Sequence, residues 1–192
     1  MSVIAQKIPL ALGFANLSGA DLEQLITEDF ETLSPLFEKV ARLNPGQVPV
    51  VNVLFAYGHL DSNGVFVGTK GAGIRQLAQA AKAAIVVLAS ENPDANIIKA
   101  GGVPGPKKAN LVFTNNRNGS GFGRFFRSLF EIMRDGTGMA SAWVQLAPQG
   151  PQRHETWIPG TIFAAEAGNL VFPVAKKEPP PSTNARPPFG RR

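Results

Sequence analysis

The chain lacks cysteine altogether and has only two histidines, His59 and His154, in 192 residues. Without thiols it has no disulfide, thiolate zinc site, iron–sulfur cluster or cysteine nucleophile. With so few imidazoles a histidine-rich metal site is not expected either, so neither metal nor cofactor is anticipated. No run reaches the roughly 18 apolar residues that a membrane helix needs, which argues against a membrane partner. Charge is sparse, at 17% of residues, whereas hydrophobic residues make up 44%. That apolar content lets a chain of this length bury a real core, and it excludes wholesale disorder.

A formal charge of +5 and a pI near 9.8 suggest nucleic acid until the charge is located. Residues 175–192 carry Lys176, Lys177, Arg186, Arg191 and Arg192 against Glu178 alone, a net of +4. The other 174 residues hold 14 positive and 13 negative side chains. The basic character therefore belongs to a Pro-rich tail with no apolar periodicity, expected to be disordered. Such a tail suits a docking peptide or an electrostatic tether, or simply keeps the chain soluble. Nucleic-acid binding would be weak, tail-mediated and readily lost in salt. The expected compartment is the cytoplasm. A signal peptide within residues 1–20 is conceivable, but Lys7 is a thin basic region and residues 8–15 equally fit a first strand.

Element signals alternate along residues 1–174. After the apolar stretch 8–15, Ser18 precedes helical spacing at Leu22, Leu25, Ile26, Phe30 and Leu33, with Asp21 and Glu23 in the first turn. Pro35 restarts a second helical pattern through Leu36, Phe37, Val40 and Leu43, ended by Asn44-Pro45-Gly46. Residues 48–57 and 83–89 read as strands buried on both faces. Between them lie an Asn63-Gly64 turn, a short return strand at 65–67 and a helix at 74–82. A polar connection spans 94–108, followed by a strand at 109–114 and a helix at 122–134 with Phe125, Phe126, Leu129, Phe130 and Met133 on one face. Residues 139–146 are ambiguous between helix and strand, and 161–165 with 170–174 read as a C-terminal β-hairpin. This alternation implies one α/β domain, with a largely parallel central sheet and helices on both faces.

In such sheets ligands gather at the carboxyl ends of the strands. Those ends present Gly58-His59, then Ser90-Glu91-Asn92, then Thr114-Asn115-Asn116-Arg117. If the first two strands are neighbours, His59 and Ser90 form the minimum for nucleophilic catalysis, with Asp61 or Glu91 orienting the imidazole. The alternative is structural: Ser90 caps the turn before Pro93, and His59 bonds within its own loop. The Gly-rich links 68–73 and 118–123 would present amides to a phosphate at a helix start. At the second, Asn92, Asn115, Asn116, Arg117, Gly119 and Gly121 are the candidate ligand-binding residues, with Arg124 and Arg127 adding charge. Neither link matches a P-loop or a dinucleotide fingerprint. Glu28, Asp29 and Glu31 read as a solvated helix face, Trp143 and Trp157 as packing residues, and His154 as exposed.

The stretches FAYGHLDSNG (55–64) and IVVLASEN (85–92), followed by ANLVFT (109–114) and FGRFFRSLFEIMRDGTGMASAWVQL (122–146), resemble in order the caspase-like fold, especially the CHAT-type peptidase branch. The likeness covers residues 48–146. It implies a caspase-like arrangement, with a flavodoxin-like one as the other sheet of this kind. It also implies a catalytic pair at His59 and at position 90, where these peptidases carry cysteine and this chain carries Ser90. A hydroxyl is a far weaker nucleophile than a thiolate. The resemblance therefore implies either a non-catalytic member acting as a protein-interaction or regulatory module, or a serine hydrolase with Ser90 as nucleophile and His59 as base. The first takes a protein partner or a second copy of itself. A nucleotide or sugar-phosphate binder using the loop 119–123 is the third reading.

Overall fold

The computed structural model describes residues 6–117, 119–146 and 159–173. The basic tail, His154 and Trp157 lie outside them. A six-stranded sheet forms the middle layer, in the order β2-β1-β3-β4-β5-β6. β1 (Ile8–Asn16), β2 (Phe37–Arg42), β3 (Val53–Tyr57), β4 (Ile85–Leu88) and β5 (Asn110–Asn116) run parallel, and β6 (Gly160–Ala164) pairs antiparallel with β5. Every residue of β3 and β4 is buried, which is why they read as unbroken apolar runs.

Side chains alternate between the two faces with the strand's period of two. Phe14, Phe55, Val87 and Val112 share one core with α1 (Glu23–Leu33), α4 (Gly121–Arg134) and α5 (Met139–Leu146). Leu54, Ala56, Val86, Leu88 and Leu111 share the other with α2 (Ile74–Ala81) and α3 (Asp94–Gly102). The chain is thus a layered α/β domain with helices on both faces of a largely parallel sheet. The first core is aromatic at its centre. Phe55 meets Phe122, Phe126 and Phe130 edge-on, with centroids 6.4, 5.3 and 6.2 Å away. That geometry suits the ring quadrupoles. No helix among the described residues is long and apolar enough to cross a membrane.

Four segments differ from the sequence expectations. The second helical pattern is instead a short 3-10 turn (Ser34–Leu36) leading into β2. Phe37 and Val40 satisfy either spacing, and pairing with β1 decides for strand. The polar connection contains α3, which starts at Pro93: its carbonyl accepts from the Asn96 and Ile97 amides at 3.0 and 3.1 Å. Asp94 in its first turn and Lys99 in its last suit the helix dipole. Only Ile97 and Ala100 of α3 are buried, too few to print a helical period. The expected return strand at 65–67 is a single bridge between Leu60 and Phe66.

The C-terminal β-hairpin does not form among the described residues. β6 pairs with β5 instead, and the chain then crosses to the aromatic core. There Phe172 lies 5.9 Å from Phe130 and 6.4 Å from Phe37, centroid to centroid. On the way, the Asn169 side chain accepts the Ala140 amide at 2.9 Å and so caps α5.

Two contacts hold the α2–α3 face. The turn after Leu60 closes on Gly64, whose amide donates to the Asp61 carbonyl at 3.0 Å and whose φ is +79°. Nearby, the buried Arg75 of α2 donates to Glu166 beyond β6 and to the Gly101 and Val103 carbonyls. That guanidinium holds the Glu166 carboxyl below its ordinary pKa. Because the shift is downward, Glu166 contributes stability fully above its unfolded value of 4.5 and loses it as pH falls through the lower folded value. The stability gap between wild type and Glu166→Gln should therefore shrink from pH 7 to pH 3, read by urea denaturation. An unchanged gap would show that the ion pair contributes nothing.

Candidate functional site

The chain passes from β1 to β2 on one side of β1 and from β2 to β3 on the other, so the sheet's crevice opens between the carboxyl ends of β1 and β3. At the end of β1 the buried Asn16 side chain fixes the bend, accepting the Ser18 and Gly19 amides and donating to the Gly19 carbonyl and Glu23. Beyond β3, the His59 amide donates to Ser18 Oγ at 3.2 Å. Its imidazole Nε2 lies 3.1 Å from Asp21 Oδ2, and both side chains are about half exposed. The acid beside His59 is thus Asp21, not Asp61 or Glu91. Asp61 instead accepts the Asn63 and Val65 amides of its own turn at 2.8 and 3.2 Å, and Glu91 accepts the Arg117 amide at 2.8 Å.

β3 and β4 are adjacent, with Ala56 opposite Leu88, so the segments carrying His59 and Ser90 do meet. The contact between them is made by the backbone of Gly58. Ser90 has no solvent exposure; its hydroxyl donates to the Gly58 carbonyl at 2.6 Å and accepts the Gly58 amide at 2.9 Å. Asn92 completes the splint, donating to the Gly58 and Ser90 carbonyls at 3.1 and 3.2 Å and accepting the Leu60 amide at 2.6 Å. Both residues act on buried main chain. Removing the hydroxyl takes the partner from the buried Gly58 amide and leaves its carbonyl with Asn92, so Ser90→Ala should destabilise the fold by about 1–3 kcal/mol in urea denaturation. A neutral result would release the hydroxyl from this task.

The third strand end holds a buried ionic network. Arg117 follows β5 and reaches Asp29 of α1 in a two-pronged pair, at 3.0 Å from NH1 to Oδ2 and 2.8 Å from NH2 to Oδ1. NH1 also donates to the Ala89 carbonyl at 2.5 Å, and the Tyr57 hydroxyl donates to Asp29 at 2.7 Å. The guanidinium lies 3.9 Å from the Phe122 ring centroid, a cation–π contact. Arg117 is 5% exposed and Asp29 2%, so the expected solvated face of α1 is interrupted by a core acid. Burial pushes the Asp29 carboxyl above its usual range, against the pull of Arg117 and Tyr57. Burial and the adjacent Asp29 charge push the Tyr57 phenol well above its own, keeping it a donor.

Beside this network a cleft of about 240 Å³ opens between α1 and the start of α4, lined by Glu28, Glu31, Arg117, Gly119 and Ser120. Its guanidinium is already paired, and the two glutamates repel a phosphate. Gly119 turns the chain at φ +56° and Gly121 is buried as the first residue of α4. Asn115 is exposed and donates to Asp94 at 2.9 Å, and Asn116, also exposed, closes β5 opposite Gly160. The six candidate ligand residues therefore divide: Asn92, Arg117 and Gly121 are buried, and Asn115, Asn116 and Gly119 are exposed. Among the described residues no three His, Asp or Glu converge as metal ligands.

No protein-family model matches the chain, and no curated protein matches it. Sequence reasoning missed Asp21, Asp29 and Tyr57. The signal for Asp29 was present: it falls on the apolar stripe of Leu22, Ile26 and Leu33, where a lone carboxylate calls for a buried partner.

Proposed function

We propose that this chain is a catalytically silent, caspase-like α/β domain that works by binding a protein partner. The observation that carries this reading is the closed pair between the Ser90 hydroxyl and the Gly58 main chain. The resemblance sets position 90 as the nucleophile, and here the proton and one of the two lone pairs of its hydroxyl are held by backbone, and the side chain is out of solvent. A nucleophile has to be reachable by an incoming carbonyl and to have its proton directed at a base, whereas this hydroxyl is buried and gives its proton to the Gly58 carbonyl. The His59 Nε2 pairs with Asp21 instead.

Support for binding comes from the neighbouring end of the sheet. A cleft of about 280 Å³ lies at the carboxyl ends of β1 and β2, lined by Phe14, Ile26, Leu43 and the Arg42–Glu23 ion pair. Leu43 is 43% exposed at its mouth. β2 is the first strand in the sheet order and no described strand pairs with its outer edge, which offers backbone groups to an extended peptide. A peptide that adds to this edge brings a side chain to the cleft.

Two measurements test the reading. A fluorophosphonate probe should leave the wild type unlabelled; labelling that disappears in Ser90→Ala would restore the serine hydrolase. Affinity capture with the full chain should yield a partner that Leu43→Asp binds at least about tenfold more weakly, since a buried unpaired charge is strongly disfavoured at an interface. A partner bound equally by both moves the interface elsewhere, and a chain ending at Val174 then tests the basic tail.

A further inference from the structure

At the opposite end of the sheet, a half-open pocket of about 280 Å³ lies beside the amino ends of β4 and β5. Ala78, Ala83, Ala84 and Ala109 line it together with Pro106 and Gln79, and Lys82 and Lys108 are its charged lining residues. Among the described residues no carboxylate lines it. Four methyl-sized side chains around a concave, mostly apolar space leave room for one ring, and the two ammonium groups give that space a single sign of charge.

Lys82 is the independent clue. It is the residue after α2 and adopts φ +53°, ψ 29°, the left-handed region. Among the described residues it is the only non-glycine there, while eight glycines take positive φ elsewhere. Its backbone amide closes the helix by donating to the Ala78 and Gln79 carbonyls, a task glycine performs without strain. An L side chain in this region is disfavoured by contact between its Cβ and the following carbonyl. The backbone therefore gives no reason for lysine at this position. The side chain does, because lysine here makes Lys82 one of the two cationic residues that line the pocket.

We propose that this cavity is a binding site for a small aryl carboxylate, with the ring against the alanine walls and the carboxylate between Lys82 and Lys108. Pockets of this kind pair an apolar body with a few placed polar groups that fix orientation. The site is independent of the protein interface proposed above, which lies at the other end of the strands.

Phenylacetate is the probe, titrated into the ¹⁵N-labelled full chain, with 2-phenylethylamine as its charge-inverted counterpart. Phenylacetate should bind with a Kd of about 0.1–1 mM, shifting the Ala83, Ala84 and Ala109 amides, and the amine should bind at least about tenfold more weakly. Lys82→Gly should weaken phenylacetate by about tenfold while raising Tm by roughly 2–4 °C, because it removes the backbone strain. Ala84→Leu, which fills the pocket and leaves both lysines, should abolish the shifts. Equal binding of the amine, unchanged binding by Lys82→Gly, or a fall in its Tm would overturn the assignment. The last result would mean that Lys82 serves the helix and not a ligand.

Discussion

Replacing Arg117 with methionine should lower the stability of this domain by about 3–5 kcal/mol, the loss expected when one member of a buried ion pair is removed. Among the described residues, the variant leaves the buried Asp29 carboxylate with only the Tyr57 hydroxyl as a hydrogen-bond partner, and it strips the Ala89 carbonyl of the Arg117 donor. The guanidinium is also packed on Phe122, so the loss includes a cation–π contact that methionine replaces only in part. Urea denaturation would show a lower Cm at unchanged m. The loss should be smaller in acid. Burial already raises the Asp29 pKa, and without Arg117 it rises further. The folded variant then binds a proton that the unfolded chain releases, so its stability recovers as pH falls through that raised value. Replacing the whole network at once, with Asp29→Leu, Tyr57→Phe and Arg117→Met, should restore stability to within about 1–2 kcal/mol of wild type. If the single variant loses less than about 1 kcal/mol, the pair is not what joins α1 to the ends of β3, β4 and β5.

Gly64→Ala should cost about 2–5 kcal/mol, from two sources. The first is backbone strain at φ +79°, on the order of 1–2 kcal/mol for any L side chain. The second is collision: an added Cβ would lie 2.6 Å from Ala100 Cα and closer still to the Ala100 nitrogen, so α3 has to move. Overpacking of this kind costs roughly 1–3 kcal/mol. Gly46 is the control, because its φ is +82° but nothing lies within 4 Å of an added Cβ. Gly46→Ala should therefore show the strain alone, roughly 1 kcal/mol. Hydrogen exchange locates the damage: amides of α3 should lose protection in Gly64→Ala while those of α4 keep theirs. Equal losses in the two alanine variants would mean that the turn does not bear on α3.

The strands buried on both faces were legible because each carries its signal locally: VLFAY and IVVL are apolar at every position, and the helix of α4 repeats its phenylalanines at helical spacing. β2 was not, because Phe37, Val40 and Leu43 satisfy a helix as well as a strand, and the partner that decides lies more than twenty residues earlier in β1. α3 was hidden by Pro93, Gly101 and Gly102, which punctuate like a loop, and by a buried face of two residues. At the site, the adjacency of the His59 and Ser90 segments followed from reading the strands correctly. That Gly58 takes both bonding groups of Ser90 is a matter of tenths of an ångström, set by strand register and carried by no residue pattern. The Asp29–Arg117 pair spans 88 positions, and only the misplaced acid on an apolar stripe announced it.

The strand order also has a consequence during synthesis. β1 is made first, and its neighbours on both sides, β2 and β3, are complete by Tyr57. Each later strand among the described residues then joins on the β3 side, β4 next to β3, β5 next to β4, and β6, reversed, beside β5. A nascent chain emerging from the ribosome can therefore build this sheet outward from its oldest strand, without opening a pair already formed to admit a newcomer.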